Sequence, residues 1–348
     1  MKIYVNIMNN LKALFGLTLF SLATGSIITN KIAAEITGSS GSINKTGVVI
    51  SSNTGSIIPN KTGSIVTSEV AGGPTWGYGV SGTGVYGPDD WGKMYEKCKG
   101  SNQSPIVIFP QATPYKIASK PMAMESDNAL GLVTGVLTNN GHTVQFTVNA
   151  KGGMVFLAGG PADSANYILS TIQFHVGCTD GSGSEHTLNA IPASAEMQMI
   201  FYNKKYKNIN NAVIKPDGVT IIAVLFDYYG GYTLYENPTL ERLVSFLPNI
   251  TKPGSSVTLD YDERIELTKL VPDLTQDYPY YYTYRGSLTT PPCYESVTWI
   301  LLKTHLSISI QQLGQFRQLQ GNDGSQLCDN FRPTQPSNNR EVTKNFLN

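Results

Sequence analysis

The stretch TIQFHVGC, residues 171–178, alternates apolar and polar side chains. Its apolar positions flank two polar ones, Gln173 and His175. A period of two is typical of a β-strand, in which these two side chains point to the same face. Polar side chains spaced in this way form half of a metal site if both can ligate, and here one is histidine and the other is glutamine.

A second alternating stretch, EMQMIFYN at 196–203, follows after a turn-rich segment. Glu196 and Gln198 share one face of the strand that it predicts. If the two strands are neighbours, Gln173, His175 and Gln198 converge on one point and Glu196 lies behind them. A catalytic zinc site has this layout, with three protein ligands and one open position.

Alternating runs recur along the rest of the chain, and clusters of Gly, Pro, Asn and Asp separate them. The runs lie at 142–149, 154–160, 171–176, 196–203, 219–229 and 295–303. Helical periodicity is confined to short pieces at 90–97, 238–246 and 309–319. This pattern predicts a mainly β (α+β) protein built on an antiparallel sheet rather than on βαβ units.

The N-terminal part predicts two further segments. Lys2 and Lys12 precede an apolar run at 13–23 and then small residues, which is typical of a secretory signal peptide over residues 1–25. A membrane anchor is the alternative interpretation, but the apolar run is short for a bilayer. Residues 26–72 are rich in Gly, Ser, Thr, Ile and Asn, contain imperfect TGSI repeats and lack aromatics. We expect a low-complexity linker there, acting as a spacer or as an attachment to a matrix or partner.

Residues 73–345 then read as one globular domain. The 348 residues carry 25 Lys and Arg against 25 Asp and Glu, so the formal net charge is zero and nothing favours a nucleic-acid partner.

After the N-terminus no segment is long and apolar enough to span a membrane. We therefore expect a secreted, extracellular protein with glycosylation sequons at Asn44, Asn60 and Asn249. The four cysteines suit disulfides, whose pairing the sequence alone leaves open.

From about Trp76 to Val342 the chain resembles the α-carbonic anhydrases. The motifs that carry the resemblance are WGYG (76–79), GPDDW (87–91), NQSPIVI (102–108), NNGHTVQF (139–146), GSGSEH (181–186), YRGSLTTPPCYESVTW (284–299) and NFRPTQPSNNR (330–340). The resemblance implies a single domain around a large, twisted, mostly antiparallel central sheet with short peripheral helices. It also implies a funnel that leads to a zinc ion held by three histidines.

Two of the three family ligands are replaced in this chain. The family motif His-x-His-Trp-Gly reads Gln173-Phe-His175-Val-Gly here, and the third ligand position is Gln198. An amide offers zinc only a weak carbonyl oxygen or a nitrogen that is not basic, whereas imidazole is a good donor. The sequence therefore predicts a degenerate site that binds no zinc, and no other cofactor is expected.

Other family positions keep their residue types. The resemblance assigns His142 to the proton shuttle, Thr289 to orienting a bound hydroxide, Glu185 to holding that threonine and Glu196 to orienting a ligand. A surface histidine in a turn is the alternative for His142. The positions matching the substrate pocket are Asn140, Gln145, Ile200, Ile221, Leu288, Thr290, Val297 and Trp299. Outside this set, His186 reads as a buried structural histidine, and His305, which belongs to no motif, as a surface residue.

The resemblance also implies a Cys98–Cys293 disulfide, and it leaves a second bridge between Cys178 and Cys328 open. Two classes of function remain. The first is a catalytically silent secreted protein that binds an extracellular protein, a glycan or a mineral matrix. The second is an active hydratase of carbon dioxide with an unusual ligand set. The scarcity of good zinc donors on the two ligand strands favours the first class.

Overall fold

The computed structural model describes residues 75–79, 84–163, 165–228, 237–276 and 278–347. The signal peptide predicted at 1–25 and the linker predicted at 26–72 lie outside the described residues. So do the sequons at Asn44 and Asn60. Among the described residues, no helix combines the length and the apolar character that crossing a bilayer requires.

Short strands dominate the described chain. In chain order they are β1 (Thr75–Trp76), β2 (Val85–Tyr86), β3 (Val107–Ile108), β4 (Ala123–Ser126), β5 (Leu132–Asn139), β6 (Val144–Asn149), β7 (Val155–Ala158), β8 (Tyr167–Val176), β9 (Thr187–Leu188), β10 (Ile191–Pro192), β11 (Ala195–Asn203), β12 (Val219–Tyr228), β13 (Ser256–Leu259), β14 (Ile265–Glu266), β15 (Tyr281–Gly286), β16 (Val297–Leu302), β17 (Leu306–Ile308) and β18 (Val342–Lys344).

Thirteen of the described strands form one sheet, and its main path runs β13-β5-β6-β8-β11-β12-β16-β15-β18. Neighbours along this path are antiparallel except β12 and β16, and β12 also pairs in parallel with β17. The predicted fold class, mainly β with a large and mostly antiparallel sheet, is confirmed. The parallel pairs were not predicted, because β12 and β16 are far apart in sequence and neither run reveals their relative direction.

The helices are short and lie between the strands. They are α1 (Trp91–Met94), α2 (Ile209–Ala212), α3 (Pro238–Val244), α4 (Leu267–Leu270) and α5 (Ile310–Arg317). Local sequence explains where the two longest begin. The Asn237 side chain accepts hydrogen bonds from the first turn of α3, with Pro238 at the first helical position. Ser309 and Gln312 form a capping box at the start of α5.

The alternation of β8 and β11 separates the main core from the opposite face of the sheet. Ile172, Phe174 and Val176 of β8 pack into the largest apolar cluster, together with Met197 and Met199 of β11. The residues between them turn to the other face, as the period of two predicts. That face carries the candidate ligands and a second apolar cluster that includes two wall residues, Ile200 and Trp299.

Two disulfides are present. The pairing implied by the resemblance, Cys98–Cys293, closes 195 residues of sequence and lies in a cluster with Trp76 and Trp91. The pairing that the sequence left open joins Cys178 to Cys328 across 150 residues. It ties the loop after β8 to the segment that follows α5.

Candidate functional site

Strands β8 and β11 pair antiparallel, with Gln198 opposite Gln173 and Glu196 opposite His175. The three candidate ligands therefore lie together on one face of the sheet. Glu196 shares that face, as the strand parity predicts. The arrangement follows from the sequence pattern alone once the two strands are neighbours.

Gln173 is engaged by the neighbouring strand. Its Nε2 donates to Gln145 Oε1 at 2.9 Å, and Gln145 Nε2 donates in turn to Thr147 Oγ1 at 3.0 Å. Gln145 stands directly opposite Gln173 in the β6–β8 ladder. This chain of amides holds the Gln173 head group toward β6.

Gln198 is buried and bridges two carboxylates. Its Nε2 donates to Glu185 Oε2 at 2.7 Å and to Glu196 Oε1 at 2.9 Å. Both amide protons are therefore used, and an amide nitrogen has no basic lone pair to give a metal. The glutamine fills the place of a ligand with a pair of charge-assisted hydrogen bonds.

His175 is fully buried, and its two ring nitrogens differ. Nδ1 lies 2.7 Å from the backbone carbonyl oxygen of Asn330, so this nitrogen carries a proton. Among the described residues Nε2 has no hydrogen-bond partner, and Glu185 Oε2 lies 3.6 Å from it. The Tyr78 hydroxyl is likewise buried without a partner among the described residues, and burial raises the pKa of Tyr78 well above its usual value.

Glu196 is the acceptor for the surrounding turn. Its Oε2 accepts from the backbone N–H groups of Glu185 at 3.0 Å and His186 at 2.8 Å. Its Oε1 lies 2.9 Å from His186 Nδ1. Burial alone would raise the pKa of Glu196, but the charge and hydrogen bonds of His186 outweigh burial and lower this pKa below its usual value.

Glu185 has the opposite electrostatic balance. Burial raises the pKa of this carboxyl above its usual value, and the nearby Glu196 carboxylate raises it further. His175, a hydrogen bond with Thr289 and the backbone N–H of Arg332 act in the opposite direction. Thr289, which the resemblance pairs with Glu185, is thus among the groups that lower the pKa of this carboxyl.

His186 and His305 differ in their burial and in their hydrogen-bond partners. His186 is fully buried and bonded at both ring nitrogens, to Glu196 and, at 2.8 Å, to the Tyr284 hydroxyl. This geometry is that of a structural histidine. His305, which the sequence places at the surface, has a side chain that is 23% exposed, and its Nδ1 lies 2.7 Å from Asp227 Oδ2. The sequence did not predict this contact, because it depends on the pairing of β12 with β17.

His142 lies in a tight turn before β6. The Asn140 side chain accepts from the backbone N–H groups of His142 and Thr143. Gly141 has a positive φ of +85°, and a Cβ there would collide with the Asn322 side chain. The turn therefore needs this glycine both for its backbone conformation and for close contact with Asn322.

The His142 ring is held by two neighbours. It stacks on Trp76 with 3.8 Å between ring centroids and 8° between planes. Asn322 Nδ2 lies 3.1 Å from Nε2, and an amide nitrogen only donates, so Nε2 is the acceptor and unprotonated. Burial lowers the pKa of His142 to about 4, and Asp323 opposes this only in part. A pKa so far below 7 makes the imidazole a poor proton acceptor near neutrality, which does not suit a proton shuttle in this position.

The His142 contacts predict a pH-dependent stability. In the unfolded chain His142 has an ordinary pKa near 6.5 and binds a proton below that pH. In the folded chain the same imidazole binds a proton only near pH 4 and below. Stability is therefore complete above pH 6.5 and falls as the pH drops toward 4, by roughly 2–3 kcal/mol from this group. Urea unfolding of the wild type and His142→Gln between pH 7.5 and 4.5 measures it. Equal losses in both proteins would contradict the expectation.

Sequence reasoning missed the segment that supports these residues from behind. Asn330 Oδ1 accepts from the backbone N–H of Val176 at 2.8 Å, and its Nδ2 donates to the carbonyls of His142 and Phe174. Arg332 is buried, stacks over Trp91 and donates to Gln103 and the Ser104 carbonyl. The motif NFRPTQPSNNR contains Arg332 within a polar run, which could have marked it as a structural residue. Its partners Gln103 and Ser104 lie 229 and 228 residues away, so the sequence did not identify them.

The residues matching the apolar wall of the family pocket are almost completely buried. Their exposed fractions are 5% or less, and they are Ile200, Ile221, Leu288, Val297 and Trp299. All five belong to one apolar cluster. Thr289 is buried beside them, Thr290 is half-buried and Asn140 is exposed. In this structure these five side chains are therefore part of the core.

Potential metal ligands do not cluster elsewhere in the part of the chain that the structure describes. Within the described ranges no group of three or more His, Cys, Asp or Glu side chains is placed to hold a metal ion. Of the three ligand positions only His175 is a histidine, and its Nε2 is buried without a hydrogen-bond partner among the described residues. The residues present do not match the three-donor set that zinc requires.

The fold and this face together define a class of protein. The model of the eukaryotic-type carbonic anhydrase family matches residues 86–346. The large mixed sheet and the strand-borne site are the architecture that the resemblance implied. The chain belongs to the eukaryotic-type, or α, carbonic anhydrase family.

Individual relatives agree with this assignment. Mouse (Mus musculus) carbonic anhydrase 6 is 34% identical over 281 residues, which cover 78% of this chain and 82% of the mouse protein. Human (Homo sapiens) carbonic anhydrase 7 is 33% identical over 277 residues, which cover 78% of this chain and 97% of the human protein. The similarity extends across most of the length of each relative.

Proposed function

We propose that this chain is a member of the carbonic anhydrase family without zinc-dependent hydratase activity, and that it acts outside the cell as a binding or matrix protein. The observation that carries the proposal is the bonding of the two glutamines. Gln173 Nε2 donates a hydrogen bond to Gln145, and Gln198 Nε2 donates to Glu185 and Glu196. Only His175 retains an imidazole nitrogen for a metal, and one such donor is too few for zinc.

The chemistry of the reaction supports the same conclusion. In this family a bound metal ion lowers the pKa of water to about 7 and so supplies the nucleophile at neutral pH. Without that ion, water in the pocket keeps a pKa near its bulk value. His142 has a pKa of about 4 in its stacked position, so near neutrality it is only a weak base and a poor proton acceptor.

Zinc analysis tests the proposal directly. The purified protein is expected to contain far less than one zinc per chain after dialysis and to hydrate carbon dioxide no faster than buffer. Mass spectrometry of the metal content and a stopped-flow assay with added zinc measure the two quantities. Stoichiometric zinc together with sulfonamide-sensitive turnover would establish the alternative, an active hydratase with an unusual ligand set.

An extracellular setting agrees with the rest of the chain. Disulfides persist in oxidising compartments, and this chain has two. The Asn249 side chain of the third sequon is exposed, so a glycan can be attached there. A protein, glycan or mineral surface remains the proposed type of partner, and the predicted repeat linker at 26–72 is the proposed attachment.

A further inference from the structure

The two disulfides differ in their access to solvent. Cys293 is fully buried and Cys98 is 9% exposed, in a cluster with Trp76 and Trp91. Cys178 is exposed and Cys328 is half-buried. Attack on a disulfide needs an approach path for the incoming thiolate. The Cys178–Cys328 bridge offers one and the Cys98–Cys293 bridge does not.

The exposed bridge anchors a segment that we name the strap, residues 322–332. Asn330 of the strap bonds to His175 and to the backbone of Val176. Asn322 at its other end bonds to His142. The strap thus touches both the candidate metal face and the His142 turn, and the bridge at Cys328 lies between the two contacts.

The loop after β8, which carries Cys178, is also held by hydrogen bonds that do not involve the disulfide. Arg317 in α5 donates to the Gly177 carbonyl at 2.8 Å and to Asp180 at 2.7 Å. These bonds fix the loop that carries Cys178 whether or not the disulfide exists. Breaking the bridge therefore loosens the strap and leaves the end of β8 in place.

We propose that Cys178–Cys328 is a thiol-exchange site, and that opening it releases the strap from the candidate site. The co-reactant is a thiol, either a small monothiol or a dithiol. Its thiolate attacks Cys178 Sγ, a new S–S bond forms there, the Cys178–Cys328 bond breaks and Cys328 leaves as a thiolate. With a dithiol, the second thiolate displaces Cys178 in turn, so the dithiol is oxidised and the bridge is reduced to two thiols.

Release of the strap has a local consequence. The backbone N–H of Val176 donates to Asn330 Oδ1 at 2.8 Å, and the backbone N–H of Cys178 donates to Asp329 Oδ1 at 2.8 Å. Both acceptors belong to the strap, so hydrogen exchange at these amides reports its docking. Leu327 and Arg332 of the strap are buried, and their packing does not depend on the disulfide. After reduction we therefore expect the strap to open more often, and we do not expect the domain to unfold.

The first experiment locates the reaction. Reduced glutathione is added to the native protein, and peptides are mapped under non-reducing conditions. The expected adduct lies on Cys178, with Cys98–Cys293 intact. A dithiol arm with dithiothreitol is expected to free Cys178 and Cys328 at least about tenfold faster than the buried pair, since reactivity follows access. Equal rates for the two bridges, or an adduct mainly on Cys328, would overturn the proposal.

The second experiment measures the release. Hydrogen exchange at the Val176 and Cys178 amides is compared in the native, selectively reduced and Cys178→Ser/Cys328→Ser proteins. Protection is expected to fall at least about tenfold at both amides, and the Met199 amide in β11 is expected to keep its protection. Asn330→Ala with the bridge intact is the matched control, and it should affect the Val176 amide alone. Unchanged protection after reduction would show that the bridge does not hold the strap.

Discussion

Replacing both Gln173 and Gln198 with histidine is expected to create a zinc site and measurable carbon dioxide hydration. The two positions lie opposite each other in the β8–β11 ladder and on the same face as His175. Zinc needs at least three good donors, and the double variant supplies three imidazoles. Glu196 Oε1, now 2.9 Å from Gln198 Nε2, is placed to accept from the imidazole introduced at position 198 and so to orient it.

The single variants are the matched controls for this experiment. Gln173→His or Gln198→His alone leaves two imidazoles, so each is expected to bind zinc weakly and to add little activity. Activity of the double variant is expected to remain partial. Val176 is buried behind the strands where the family motif has tryptophan, and a site tolerates only about 0.5 Å of misplacement.

Metal content by mass spectrometry and stopped-flow hydration in the four proteins decide the question. A double variant that is folded by circular dichroism but takes up no zinc would contradict the geometry of the face. A wild type that already binds zinc stoichiometrically would contradict the proposed function instead. The two failures are therefore distinguishable.

Replacing Glu196 with alanine is expected to lower the free energy of unfolding by about 3–5 kcal/mol. The carboxylate accepts hydrogen bonds from the backbone N–H groups of Glu185 and His186, from the Gln198 amide and at His186 Nδ1. All of these donors are buried, so the substitution leaves the Glu185 and His186 donors without this acceptor and without access to water, while Gln198 keeps only its bond to Glu185. This loss exceeds what the small cavity costs by itself.

Urea unfolding at pH 7 measures the change. Glu341→Ala is the matched control, because that carboxylate also has a side-chain partner, Lys116, but on the surface, with a side chain 68% exposed. It should cost less than about 1 kcal/mol. Losses of similar size in the two variants would show that the Glu196 network does not stabilise the fold in the way its geometry suggests.

The sequence predicted the fold and the strand parity well. Alternation at 171–176 and 196–203 placed Gln173, His175 and Gln198 on one face, and the structure has them there. Periodicity of this kind is a local property of the chain, so it survives folding unchanged. The ends of α3 and α5 were also close to those predicted, because Asn237 and Ser309 cap them locally.

What the sequence did not predict depends on contacts between distant segments. Asn330 reaches His175 across 155 residues, and Asn322 reaches His142 across 180. Asn330 belongs to the motif NFRPTQPSNNR, but that motif does not indicate which distant segment it contacts, and Asn322 belongs to no motif. The hydrogen bond that occupies Gln173 was missed for a related reason. That hydrogen bond depends on the β6–β8 register, which sets Gln145 opposite Gln173. Alternation along a strand predicts which face a side chain lies on, but it does not predict which residue lies opposite on the next strand.

The apolar wall has a consequence for how activity can be inferred in such proteins. Ile221 and Trp299 are 1% and 0% exposed, and truncating a buried side chain of this kind typically costs about 2–5 kcal/mol. The fold therefore requires these residues whether or not any reaction takes place beside them. Their presence is evidence about architecture, and it carries no information about turnover. In a chain like this one, the test of chemistry rests on the positions that would supply metal ligands, and here those are Gln173, His175 and Gln198.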